Sequence, residues 1–211
     1  EMSASLVGSE MCIRDRLNAF EQNHPDIHTE LDEFGSVRAC DLVQDEKLDL
    51  AIVNMEQFNI DKFESCILAK EQLMYVVSKK HPMAKKKCMT IEDFRDENLL
   101  MFNVDSVQNE LLKNRFDQLK LNPRIIMRSS QLYTALKFID NGSCGCFLFS
   151  DMLPHFKQYK GIPLEPPIDV NIGIVWKKGN FLSHSAQLFI DFAMQYCSEN
   201  ITCLLYTSDA A

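Results

Sequence analysis

The chain has 211 residues, of which 46% are apolar and 14 are Phe, enough for a true core in one or two small domains. Its 22 basic and 30 acidic side chains leave a net charge of −8, a balance that repels DNA phosphates and argues against nucleic-acid binding by this chain alone. No run approaches the ~18 apolar residues of a membrane helix, and no basic start followed by an apolar stretch marks a signal peptide, so a soluble, cytoplasmic setting with no membrane partner is expected.

In chain order, LNAFEQNHPDI from Leu17 reads as the end of a helix, and Ile27 to Phe34 as a strand. Ser36 then opens a short amphipathic helix that leads into Leu48 to Val53, an apolar run with Asp49 inside it. So short a run, closed by Asn54, suits a strand buried on both faces of a parallel sheet. Strand, helix and strand form a βαβ unit, and ligands of such sheets sit beyond the carboxyl ends of the strands, so Asn54 points at a pocket.

Leu73 to Val77 is the next strand, followed by the Lys-rich turn KKHPMAKKK. Thr90 with Asp93 resembles a capping box opening a short helix. Leu99 to Phe102 is a strand, and Ser106 starts a helix with Leu111, Leu112, Phe116 and Leu119 on its apolar side. Asn122-Pro123 breaks that helix, and Arg124 to Arg128 is a strand. Leu132, Ala135, Leu136 and Ile139 trace one helix face, which Asn141-Gly142 ends. Cys146 to Phe149 is a buried strand, Pro163 to Pro167 an extended connector and Val170 to Trp176 a strand. A last helix carries Leu182, Ala186, Phe189, Ile190, Ala193, Met194 and Cys197 on one stripe. The alternation predicts an α/β protein with mostly parallel sheets.

No catalytic constellation is visible: G-x-S-x-G, H-E-x-x-H and Walker A patterns are absent. Seven Gly make phosphate cradles unlikely against the usual ~7% share. His24, His28, His81, His155 and His184 are scattered and read as surface or turn residues, and no metal or cofactor is expected. Cys144-Gly145-Cys146 lacks the second pair that zinc wants and reads as core packing. Cys40, Cys66, Cys88 and Cys197 are likewise expected as reduced thiols. Lys79, Lys80, Lys85, Lys86 and Lys87 read as a solvated loop. The best binding candidates are the polar segments that follow strands and open helices. These are Ser129, Ser130 and Gln131 after Arg128, and Asn103, Asp105 and Ser106 after Phe102. Backbone N–H groups and hydroxyls at such a place form an anion site, although Ser129 or Ser130 also serves simply as an N-cap.

The run LVQDEKLDLAIV, followed by EQLMYVVSKKHPMAKKKCMTIEDFRDENLLMF, resembles the effector-binding domain of LysR-type transcriptional regulators over about Leu17 to Asn200. The resemblance implies a type-2 periplasmic-binding-protein-like fold of two α/β subdomains joined by two crossover strands. Subdomain I is expected at 17–71 plus 168–200, and subdomain II at 72–167. It also implies a small-molecule effector in the cleft between them, lined by Asn54 and the two polar loops. Effector binding then shifts the angle between the subdomains by differential affinity for two conformations, with no bond made or broken. Homodimers or tetramers of the intact protein, paired antiparallel through the first helix and a neighbouring strand, are implied, with DNA held only by an N-terminal domain that this chain lacks. The ends, Ser5 to Arg16 and Cys203 to Ala211, resemble translated sequencing-adapter sequence, so 1–16 and 201–211 are expected to be artefacts. The first strand is then missing or replaced, with Ser5 to Gly8 imitating it, Ser9 as N-cap and Met11 to Phe20 extending the helix. Two rivals remain open: a stand-alone solute-binding protein, which needs a signal peptide or anchor, and an enzyme on the same fold, for which candidates such as Asp105 with His155 have no motif support.

Overall fold

A computed structural model describes residues 2–6, 10–56, 60–102, 106–129 and 131–205. The chain divides into two compact units, Glu1–Lys70 with Asn171–Ala211, and Glu71–Val170.

In the first unit the strands β1 (Met2–Leu6), β2 (Thr29–Glu33) and β3 (Leu50–Asn54) lie parallel in the order β2-β1-β3. Helix α1 (Glu10–Asn23) connects β1 to β2, and α2 (Ser36–Gln44) connects β2 to β3. All five β3 residues are buried, as expected for a central strand whose apolar run does not alternate. The position of the first strand is thus filled, by Met2–Leu6 rather than by Ser5 to Gly8. Asp49 explains the acid inside the apolar run: its carboxylate accepts from the Ser3 N–H at 2.8 Å and the Ser3 hydroxyl at 3.2 Å, tying β1 to the start of β3. Leu42, Val43, Leu48, Ala51, Val53 and Phe63 pack as one core cluster beneath α2. Phe20 of α1 meets Phe189 of the last helix, α5 (His184–Leu205), edge to face at 5.2 Å.

The second unit is built on β5 (Asn98–Phe102), β6 (Arg124–Ser129) and β7 (Gly145–Phe149), with β5 parallel to both neighbours. Helices α3 (Val107–Gln118) and α4 (Leu132–Ile139) join them. The capping box at Thr90 is present, with the Thr90 N–H donating to Asp93 at 2.9 Å, but it opens a single 3-10 turn, Ile91–Phe94.

The sheets are mixed rather than mostly parallel, because two long strands run antiparallel to their neighbours. These are β4 (Phe63–Ser78), sixteen residues long, and β9 (Asp169–Lys177). In the first unit β9 pairs with β3, and in the second β4 pairs with β7 and with β8 (Tyr159–Pro163). Strand β8 carries Gly161 and Pro163, which mask its pattern in the sequence. Its Tyr159 hydroxyl donates to Asp140 at 2.6 Å and to the Leu136 carbonyl at 3.0 Å, fastening the end of α4.

Candidate functional site

Each unit gathers its polar groups where parallel strands end and helices begin, and each set is described within its own unit. In the first unit Asn54 closes β3 and is 2% exposed. Its backbone N–H donates to the Ser36 hydroxyl at 3.2 Å, so the end of β3 lies against the first residue of α2. Ser36 is equally buried, and the Asn54 Oδ1 has no hydrogen-bond partner among the described residues. Ser36 belongs to this set although it was read only as the start of a helix: its bond to Asn54 spans eighteen positions and no local pattern announces it.

In the second unit Ser106 is the N-cap of α3, its hydroxyl accepting from the Asn109 N–H at 3.3 Å. The N-cap of α4 is Gln131, which corrects the expectation that Ser129 or Ser130 would serve. Ser129 is buried and folds back on its own loop, accepting from the Gln131 N–H at 3.1 Å and donating to its carbonyl at 3.3 Å. Arg128 reaches the Asn109 side chain at 2.9 Å and the Phe102 carbonyl at 3.4 Å, bridging the ends of β5 and β6 to α3. That pairing was not foreseen either, because Asn109 looks like an ordinary helical amide. Gln108 Oε1, likewise without a hydrogen-bond partner among the described residues, borders a narrow gap between α3 and the sheet, walled by Leu100, Leu112 and Phe147, that has no room for a water. Asn103, Asp105 and Ser130 lie outside the described residues.

The remaining reactive side chains are structural. Burial, and then Asp41, pushes the Cys40 thiol up to about 12, and burial raises Cys144 and Cys146, so these sulfurs stay protonated and inert. Cys88 departs from the buried pattern: it is exposed and donates to Glu165 at 3.1 Å. His81 is no surface residue but is 5% exposed, its Nδ1 accepting from the Met83 N–H and its Nε2 facing Glu97 at 3.4 Å. Of the Lys-rich turn, Lys86 pairs with Asp93 at 2.6 Å. Among the described residues no three His, Cys, Asp or Glu are grouped to hold a metal ion, and no helix is long and apolar enough to cross a membrane.

Comparison with known proteins converges on one family. The family described as LysR substrate binding domain matches residues 3–198. An uncharacterized HTH-type transcriptional regulator of Bacillus subtilis (strain 168), YwbI, is 28% identical over 184 residues, which cover 85% of this chain and 60% of that protein. The transcriptional dual regulator GltC of the same organism is 25% identical, over 87% of this chain and 62% of its own length. The chain thus spans about three-fifths of the length of these relatives. Among solved structures, the Synechocystis PCC6803 CcmR regulatory domain in complex with 2-PG superposes with a TM-score of 0.84 at 19% identity, over 93% of this chain and 96% of that one. The effector binding domain of QuiR in complex with shikimate gives 0.80 at 21%, over 94% and 97%. These two share the fold, and the match of nearly the whole sequence shows the kinship: the chain belongs to the LysR substrate-binding-domain family.

Proposed function

We propose that this chain is the effector-sensing domain of a bacterial LysR-type transcriptional regulator. The observation that carries the reading is the family match over residues 3–198, on a fold whose two units both end their parallel strands in polar loops. A small metabolite is bound by Asn54 in the first unit and by Asn103, Asp105, Ser106, Ser129, Ser130 and Gln131 in the second. Related domains have been solved with shikimate, 2-PG and, for BenM, benzoate, which supports a small-molecule ligand here. On this reading the chain does no bond chemistry: burial holds the Cys40, Cys144 and Cys146 thiols protonated, and the exposed Cys88 thiol donates to Glu165. The effector acts by binding one conformation better than another.

The intact protein works in the cytoplasm, carries its DNA contacts on a separate N-terminal domain and assembles as a homodimer or tetramer. Two open sheet edges of opposite charge favour self-association. Edge strand β2 presents Glu30, Asp32 and Glu33, while edge strand β6 presents Arg124 and Arg128 beside exposed Ile125 and Ile126. The artefact reading of 1–16 and 201–211 belongs to the same proposal and is tested by sequencing the genomic DNA around the Leu17 codon.

The test of sensing is a thermal-shift screen of the 211-residue chain against organic acids, aromatic acids, amino acids and sugar phosphates, followed by titration calorimetry on each hit. Saturable, one-to-one stabilisation by at least one metabolite class is expected. Silence across every class would overturn the reading.

A further inference from the structure

His81 stands where a helix start usually places Ser, Thr, Asp or Asn. It is the N-cap of the 3-10 turn Pro82–Lys85, extended at φ −67° and ψ 140°. Its Nδ1 accepts from the Met83 N–H at 3.2 Å, and its carbonyl accepts from the Ala84 N–H at 3.0 Å. The ring is buried, with Nε2 facing the Glu97 carboxylate at 3.4 Å. The same carboxylate oxygen accepts from the hydroxyl of the fully buried Tyr75 at 3.3 Å. A neutral imidazole has one donor and one acceptor nitrogen, and which is which follows from the bonds they make. Accepting from Met83 at Nδ1 puts the ring proton on Nε2, pointing at Glu97. Nδ1 is then the only place for a second proton, and a ring that takes it donates from both nitrogens. The new Nδ1–H meets the Met83 N–H donor to donor, so the cap is lost while Nε2 keeps Glu97. A Ser or Thr cap carries no such condition; this cap works only while His81 is uncharged.

The charges around the ring set the terms of that exchange. Lys79, Lys80 and Lys85 share its own segment, and Lys86 beyond them pairs with Asp93 at 2.6 Å. The Gly142 turn after α4 lies against the same backbone, where a Cβ on Gly142 would stand 3.3 Å from the His81 nitrogen. Asp140 at that turn already accepts from the Tyr159 hydroxyl at 2.6 Å and pairs with Lys137 at 3.5 Å. Tyr75 and Cys144, both raised by burial, bring no charge. Glu97 therefore favours the second proton, and the lost cap, the burial of the ring and the neighbouring lysines oppose it. We propose that His81 is a proton-operated latch on the Lys-rich turn, closed while its Nδ1 caps Met83 and released when Nδ1 is protonated. The device goes beyond effector sensing, since it makes the second unit answer to acid with no ligand bound. Burial holds the ring below its ordinary pKa of 6.5, with Glu97 pulling the other way. Opening returns the ring to water and takes up the proton that the closed turn resists. Below about pH 6.5 the open turn thus gains on the closed one by up to about tenfold per pH unit, until the lower pKa of the closed turn is reached.

The test is NMR on the ¹⁵N-labelled full chain without ligand. At pH 7.5 the ring nitrogens of His81 are expected to show the tautomer protonated at Nε2. Amide exchange with water, corrected for its intrinsic pH dependence, is expected to show the protection of Met83 falling at least about threefold between pH 7.5 and 5.5. In His81→Gln the side-chain oxygen can accept from Met83 at either pH, and the fall is expected to vanish. Glu97→Gln removes the charge that favours the second proton and is expected to move the His81 titration to lower pH. A His81 protonated at Nδ1 at neutral pH would overturn the latch. So would Met83 protection that ignores pH, or a fall that survives in His81→Gln. Met83 protection as high as that of the β7 amides would mean that the turn opens only when the whole unit unfolds, and that too would overturn it.

Discussion

Phe94 offers the sharpest test of how the second unit is held together. It is fully buried at the end of the 3-10 turn and meets Tyr75 edge to face at 4.9 Å, Phe147 at 5.3 Å and Phe116 at 6.2 Å. Truncation to Ala removes the transfer energy of the ring and leaves a cavity that its three aromatic neighbours cannot close, a loss of about 3–5 kcal/mol. A whole domain has only ~5–15 kcal/mol to spare. For a chain of this size each kcal/mol moves Tm by roughly 2–4 °C, so Phe94→Ala is expected to melt about 6–20 °C lower. Phe94→Leu retains most of the volume and is expected to lose less than ~1.5 kcal/mol. Every ring that touches Phe94 belongs to Glu71–Val170, so hydrogen exchange should quicken in β5 and β7 while β3 keeps its protection. Urea unfolding followed by circular dichroism gives the magnitude. A loss below ~1 kcal/mol for Phe94→Ala would refute the claim that this aromatic cluster anchors the unit.

Three further outcomes follow from neighbouring contacts. A Cβ on Gly145 would stand 2.4 Å from the Tyr75 ring, so Gly145→Ala is expected to cost about 1–3 kcal/mol in thermal or urea unfolding, and a neutral result would mean the ring has room to move. Burial holds His81 below its ordinary pKa of 6.5 despite the opposing pull of Glu97, with the Tyr75 hydroxyl also on that carboxylate. The unfolded chain therefore takes up the proton that the folded chain resists, so stability is full above about pH 6.5 and falls as the pH drops below it. Urea midpoints at pH 7.5 and 5.5 should differ, and the difference should shrink in His81→Gln. Thr90→Ala removes one arm of the capping box and is expected to cost about 0.5–2 kcal/mol, read from the same urea curves.

Much of the fold is legible because its elements carry local signals. The unbroken apolar run before Asn54 announces a buried strand, the i, i+3, i+4, i+7 spacing of Leu132 to Ile139 announces α4, and Thr90 with Asp93 announces a cap. What escapes is non-local. Of β4 only Leu73 to Val77 reads as a strand, because its first half, FESCILAK from Phe63 to Lys70, does not alternate polar with apolar. Strand β8 is hidden by Gly161 and Pro163 and exists because β4 has a free side to pair with. The antiparallel direction of β9 against β3 has no sequence signature, since strand direction is set by how the chain returns and not by the composition of either strand.

The site is legible to a different degree, and the reason is instructive. Residue type and position after a strand pick out Asn54, Ser106 and Ser129, but they do not say which of these hydroxyls and amides are already spent. Ser106 is spent on Asn109 and Ser129 on Gln131, so both stabilise their own loops before any ligand arrives. Asn54 differs: it is as buried as the core around it, yet among the described residues its side-chain oxygen has nothing to bond, and nothing in the local sequence tells a spent amide from an unspent one.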